Sequence, residues 1–228
     1  MDYYPIKLQV AFFLTSVDFS SKLKIANLVR AKCGNLLEVD PLLLPLPPDA
    51  PPEFPHIVIR NDNNGWLFQM GPARFDLVIQ LGPHQPLGDF TELTKTICKT
   101  GLDIWQGLRT EFSASANRIG LVTTTVTELE NPTEVFRQRY LSTKNAEGSS
   151  ECQLHILHKI NAKGFTLNDW VRLLALPANE IWPSRFVFEI DINSIPEQPV
   201  KIDETVARSF FAIADELTKQ GINSYIVG

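Results

Sequence analysis

An α+β fold in which one β-α-β-β-β-α unit occurs twice is what this sequence predicts, and three observations carry the expectation. The order of strand and helix signals recurs along the chain. A constant offset of 111 residues brings the two sets into register, taking Leu8 onto Ile119, Ser20 onto Asn131 and Arg74-Phe75 onto Arg185-Phe186. Side-chain parity in the last strands survives that offset, with Phe75, Leu77, Ile79 and Leu81 falling on Phe186, Phe188, Ile190 and Ile192.

Residues 8–14 have strand composition, and residues 20–33 then place Leu23, Ile25, Ala26, Leu28, Val29 and Cys33 at helical spacing, with Ser20 or Ser21 able to cap the start. Three strands are expected at 56–61, 66–70 and 75–81. Asp62-Asn63-Asn64-Gly65 supplies the hairpin turn between the first two, because Asn, Asp and Gly tolerate the backbone angles that tight turns need. Asp89 followed by Glu92 resembles a capping box and opens a helix striped by Leu93, Ile97, Gly101, Ile104, Trp105, Leu108 and Phe112.

The second set begins with a β-branched strand at 119–126. Asn131-Pro132 starts a helix with a cap residue followed by Pro at its first position. Strands follow at 152–160, 166–176 and 186–192. A last helix at 203–221 carries Val206, Phe210, Ile213, Ala214 and Leu217. The division expected is 1–116 and 117–228, joined as one continuous globular unit. Such a pair would form an antiparallel sheet with helices packed on one face and a pseudo-twofold axis, like the TATA-binding protein in architecture only. The uncovered face must then meet water, a partner or a copy of itself.

Composition bounds the function. The 228 residues are 44% hydrophobic and 21% charged, which suffices for a real core, and the net charge of −5 argues against a main task of neutralising phosphates. Three cysteines, far apart and odd in number, suit reduced thiols rather than a disulfide framework. No basic, apolar export signal opens the chain, and no apolar run reaches the length of about 18 residues that a spanning helix needs, so a cytoplasmic protein without membrane contact is expected.

Cys152-x-x-His155-x-x-His158 contains zinc-ligand residue types. On a strand, spacing by three sends the two histidines to opposite faces, and only His56 and His84 remain to complete a set. Glu189 and Asp191, two apart on a strand, share a face as metal-sharing carboxylates would, yet their counterparts at the offset are Val78 and Gln80 and a solvated face accounts for them. No metal and no cofactor are expected. Arg74 and Arg185, each entering a final strand after a proline-containing turn, are candidate anion contacts, against the alternative that they close turns or block edge pairing.

Residues 41–55 hold seven prolines and suit a stiff extended connector rather than a docking ligand. The polar stretch 142–151 is expected to be a loop. There is no Gly-rich phosphate loop, no G-x-S-x-G elbow and no H-E-x-x-H helix, which gives catalysis little support.

Gly65-Trp66-Leu67-Phe68-Gln69, the helix through Trp105, Asn117-Arg118-Ile119-Gly120-Leu121 and the strand Phe186-Val187-Phe188-Glu189-Ile190-Asp191-Ile192 together resemble a sporadically distributed family of uncharacterised prokaryotic proteins of about this length, with an Arg-Ile-Gly-Leu strand motif. The resemblance implies no catalytic residues. Patchy distribution of that kind implies an accessory role in defence or mobile-element clusters. The Pro-rich stretch departs from the family.

The function expected is therefore a non-enzymatic interaction or adaptor protein with a protein partner or self-association. Its open face would show Ala11, Phe13, Val122 and Thr124 and few charges, with Arg74, Arg185, Phe13 and Val122 as candidate binding residues. Two alternatives stand beside it. One is a nucleic-acid saddle on which Arg60, Arg74, Arg118, Arg172 and Arg185 converge; the other is a metal-dependent hydrolase using Glu189 and Asp191.

Overall fold

The computed structural model describes residues 3–47, 49–80, 89–141 and 151–227. In chain order the elements are β1 (Tyr4–Ser16), α1 (Lys22–Cys33), a 3₁₀ turn (Gly34–Leu37), β2 (Leu42–Leu43), β3 (Ile57–Asn61), β4 (Trp66–Met70), β5 (Arg74–Gln80) and α2 (Phe90–Phe112). Then come β6 (Ser115–Glu128), α3 (Pro132–Tyr140), β7 (Cys152–Ala162), β8 (Phe165–Leu176), β9 (Arg185–Ser194), α4 (Glu204–Ile222) and a closing π-helical turn (Asn223–Val227). The fold is α+β, with one open antiparallel sheet in the order β2-β3-β4-β5-β1-β6-β9-β8-β7. Among the described residues, no helix is long and apolar enough to cross a membrane.

Alternation along the strands decides which residues meet the helices. Leu8, Val10 and Phe12 on β1 lie level with Ile79, Leu77 and Phe75 on β5, and all six are buried. The same face continues through Ile119 and Leu121 to Ile192, Ile190 and Phe188, and on to Val171 and Leu173. Helix contacts identify this as the covered side. Trp105 of α2 stacks on Phe12 at 5.1 Å, Phe211 of α4 meets Phe12 edge-on at 6.1 Å, and Phe136 of α3 stacks on Phe186 at 5.6 Å. Gly101 of α2 leaves room for Val10, whose nearest carbon would lie 3.0 Å from an added Cβ.

Helix starts follow their cap chemistry in two cases of four. The Asp89 carboxylate accepts the Glu92 N–H at 2.9 Å, and Asp203 accepts the Val206 N–H at 2.8 Å. Ser21 and Asn131 occupy the cap positions of α1 and α3 but make no side-chain cap bond, so the capping expected of them is corrected. At α1 the carboxylate of Asp18 instead accepts the Ser20 N–H at 3.0 Å.

The stretch 41–55 is more than a connector. Leu42 and Leu43 pair with Val58 and Ile57 as the edge strand β2, and the Leu44 N–H continues the ladder to the His56 carbonyl at 2.9 Å. Pairing at Leu42-Leu43 is available because neither residue is proline, so both keep a backbone N–H. Leu81 and His84, and the loop expected at 142–151 except for Glu151, lie outside the described residues.

Candidate interaction face

The face opposite the helices is built from the alternate residues of the same strands. Phe13 of β1 stands level with Arg74 of β5 on one side and Arg118 of β6 on the other, so the register alone sets an aromatic ring between two arginines. Their guanidinium carbons lie 4.7 Å (Arg74) and 4.2 Å (Arg118) from the Phe13 ring centroid, within cation–π range.

The two arginines are held differently. Arg74 donates through Nε at 2.9 Å and Nη2 at 2.6 Å to one oxygen of Asp76, which is only 4% exposed and also accepts from Gln9 and Gln69. Arg118 donates through Nε to the Ser194 carbonyl at 3.2 Å and, among the described residues, forms no ion pair within 4.0 Å. Burial lowers the Arg118 pKa from its ordinary value, and the like charge of Arg74 lowers it further, against a weaker opposing pull from Asp191 and Glu197.

Arg185 does not join this cluster. It lies level with Glu128 at the far end of β6, whereas Arg74 lies level with Phe13 near the end of β1, and those two central strands run antiparallel. Arg185 is buried, donates to the Pro183 carbonyl at 3.1 Å and lies 5.1 Å from the Trp182 ring centroid. Burial lowers its pKa as well, with Tyr4 acting in the opposite direction. Val122 sits in mid-face between Gln9 and Asp191. The structure thus brings Arg74 and Phe13 together, leaves Arg185 and Val122 apart from them, and adds Arg118.

The expectation of few charges on this face is corrected. Besides Arg74 and Asp76 it carries Arg172, which forms a close ion pair with Glu189 and lies 3.8 Å from Asp191. Thr124 also donates to Glu189, and Asn193 to Asp191 at 2.9 Å. Neighbours of opposite sign, across the strand pair for Arg172 and Glu189 and along β5 for Arg74 and Asp76, explain how such charges persist beside Ala11 and Val78, which are 3% and 6% exposed.

Glu189 and Asp191 therefore face a guanidinium. Among the described residues no group of three or more His, Cys, Asp and Glu side chains is placed to hold a metal ion. His155 stands level with Arg172 on the open face. His158 stands level with Asp169 on the helix side, where its Nδ1 lies 3.6 Å from the Asp169 carboxylate. Burial raises the Asp169 pKa, only partly countered by His158.

No family model matches the chain, and no curated protein does. Among solved structures, the rolling circle replication initiator protein from Geobacillus stearothermophilus is similar at a TM-score of 0.35 and 10% identity, over 98% of this chain and 86% of that one. So low a score lends no support to any reading of function.

Proposed function

We propose that the chain is a non-enzymatic interaction or adaptor protein whose helix-free sheet face receives a protein partner. The observation that carries this reading is the mixed character of that face: apolar Ala11, Val78 and Val122 lie among arginines whose charge is largely cancelled at home by Asp76, Glu189 and Asp191. A polyanion gains little from such arginines, which weighs against the nucleic-acid saddle. Arg172 beside Glu189 and Asp191 weighs against the hydrolase. The setting that the family resemblance implies, an accessory to prokaryotic defence or mobile elements, is compatible with a binding role.

We infer further that the sheet arose by duplication, as two β-α-β-β-β-α units over 1–116 and 117–228 about a pseudo-twofold axis. Outward from the β1–β6 seam the strand order is β5-β4-β3 on one side and β9-β8-β7 on the other, so each half runs from its first strand to its last and then backwards.

The test is affinity capture from native cells with the intact chain and with Val122→Arg, which places a bulky cation in mid-face, alongside light scattering on the pure protein. A partner or self-association lost in Val122→Arg, with the circular dichroism spectrum unchanged, supports the reading. Capture indifferent to Val122 sinks it. Tight, salt-steep binding of duplex DNA that disappears in the Arg74→Ala, Arg185→Ala double variant would put the saddle ahead.

A further inference from the structure

We propose that Arg118, with Arg74 beside it on the Phe13 ring, is the docking point for a side-chain or terminal carboxylate of an acidic polypeptide segment. The proposal rests on the reading of the open face as a protein-interaction surface and names the partner's chemistry.

Arg60, Arg74 and Arg172 on the same face each already hold a carboxylate, on Asp62, Asp76 and Glu189 respectively. Arg118 is half-buried on that face, and its hydrogen bond from Nε to the Ser194 carbonyl leaves the terminal nitrogens of the fork without an acceptor among the described residues. A guanidinium removed from water and set against a second cation carries a desolvation cost that an incoming carboxylate offsets, and the planar fork suits a bidentate pair. Arg74 adds attraction without being consumed, since its own bonds go to Asp76.

Charge along the face favours a peptide over a phosphate backbone. Glu189 and Asp191 on the neighbouring strand β9 share the single guanidinium of Arg172, which leaves one negative charge over, so an extended polyanion anchored at Arg118 would run against it. A peptide can place one acidic residue on Arg118 and an apolar residue over half-buried Val122.

The probe is a fluorescent, end-blocked peptide with a single glutamate flanked by valines, titrated against the full chain by anisotropy at low and physiological salt, with labelled duplex DNA in parallel. Expected are salt-sensitive binding of this peptide, a loss of affinity of at least about tenfold in Arg118→Gln, and a smaller loss in Phe13→Leu. Should Arg118→Gln misfold, Arg118→Lys, which keeps the charge but not the fork, must weaken binding at an unchanged thermal midpoint. Absence of binding of the single-glutamate peptide, or binding indifferent to Arg118, overturns the proposal. Duplex DNA binding more tightly than the peptide through Arg118 overturns it in favour of nucleic acid. A native partner lost in Val122→Arg but retained in Arg118→Gln would defeat this inference and leave the interaction reading standing.

Discussion

Arg74 and Asp76, two positions apart on β5, are joined by two hydrogen bonds from one guanidinium to a single carboxylate oxygen. With Asp76 almost fully buried, Arg74→Ala leaves that carboxylate on two amide donors alone and should cost about 2 kcal/mol of stability. Arg118→Ala strands no carboxylate and forfeits a cation–π contact and one hydrogen bond to the Ser194 carbonyl, a loss of about 1 kcal/mol. Urea denaturation of the two variants side by side should rank them in that order; a reversed ranking would contradict the pairing described.

Phe12 is fully buried, with Phe75 stacked on it at 4.8 Å and Trp105 at 5.1 Å. Phe12→Ala should therefore cost about 4 kcal/mol, counting both lost transfer energy and the cavity left behind. Chemical denaturation gives the figure directly, and a cost under about 1 kcal/mol would mean that the ring is not at the core.

Gly71 admits no side chain, because a Cβ there would lie 2.5 Å from the Phe54 carbonyl oxygen and 2.8 Å from that of Pro52. Both obstacles are backbone, so Gly71→Ala must displace the Pro-rich segment, at about 2 kcal/mol. Limited proteolysis should then cut within residues 41–55 faster than in the parent protein.

Burial pushes the thiols of Cys33 and Cys98 up to about 12, and Cys152 is also buried. Because the thiolate is the nucleophile, a disulfide reagent at pH 8 should label native protein slowly and all three thiols rapidly once guanidinium is added. Fast labelling of Cys33 or Cys98 in the native state would contradict their placement.

Asp169 holds its proton more tightly folded than unfolded, since burial raises its pKa. Its stabilising contribution is full below the unfolded value of about 3.9 and is lost as pH rises through the folded value, above which the buried charge costs stability. Asp169→Asn should thus match the parent near pH 3 and gain on it toward pH 7, with the loss of the His158 contact limiting the gain. Thermal midpoints across that range test the sign.

Much of the frame was legible because strand and helix patterns are local. Trp66–Met70 was placed to the residue by its alternation and by the Asn-Gly turn before it, and Asp89 was found as a cap because its partner lies three residues on. Parity alone put Arg74 on the open face. What parity cannot supply is which strand ends become neighbours. Arg118 stayed one arginine among several because it reaches Phe13 only through the pairing of β6 with β1, and the 111 offset maps it onto Lys7, hiding any likeness to Arg74. Arg185 matches Arg74 under the same offset, but the two lie at opposite ends of the antiparallel β1–β6 pair, which the offset cannot show. The charges missed on the open face have a similar origin, since Arg172 meets Glu189 and Asp191 only across the strand pair β8–β9.

The seam itself governs how the chain can come together in time. β1 finds its β6 partner only after more than a hundred residues have been made, so during synthesis the first half waits with one long strand unpaired along an edge destined for the sheet centre. Pairings this distant in sequence form slowly, because the loop must close before the contact rewards it. The same edge in two nascent chains offers each the other's missing neighbour. Exchange of β6 strands between molecules is therefore the misassembly to which this architecture is most open, and rapid dilution during refolding is the condition that suppresses it.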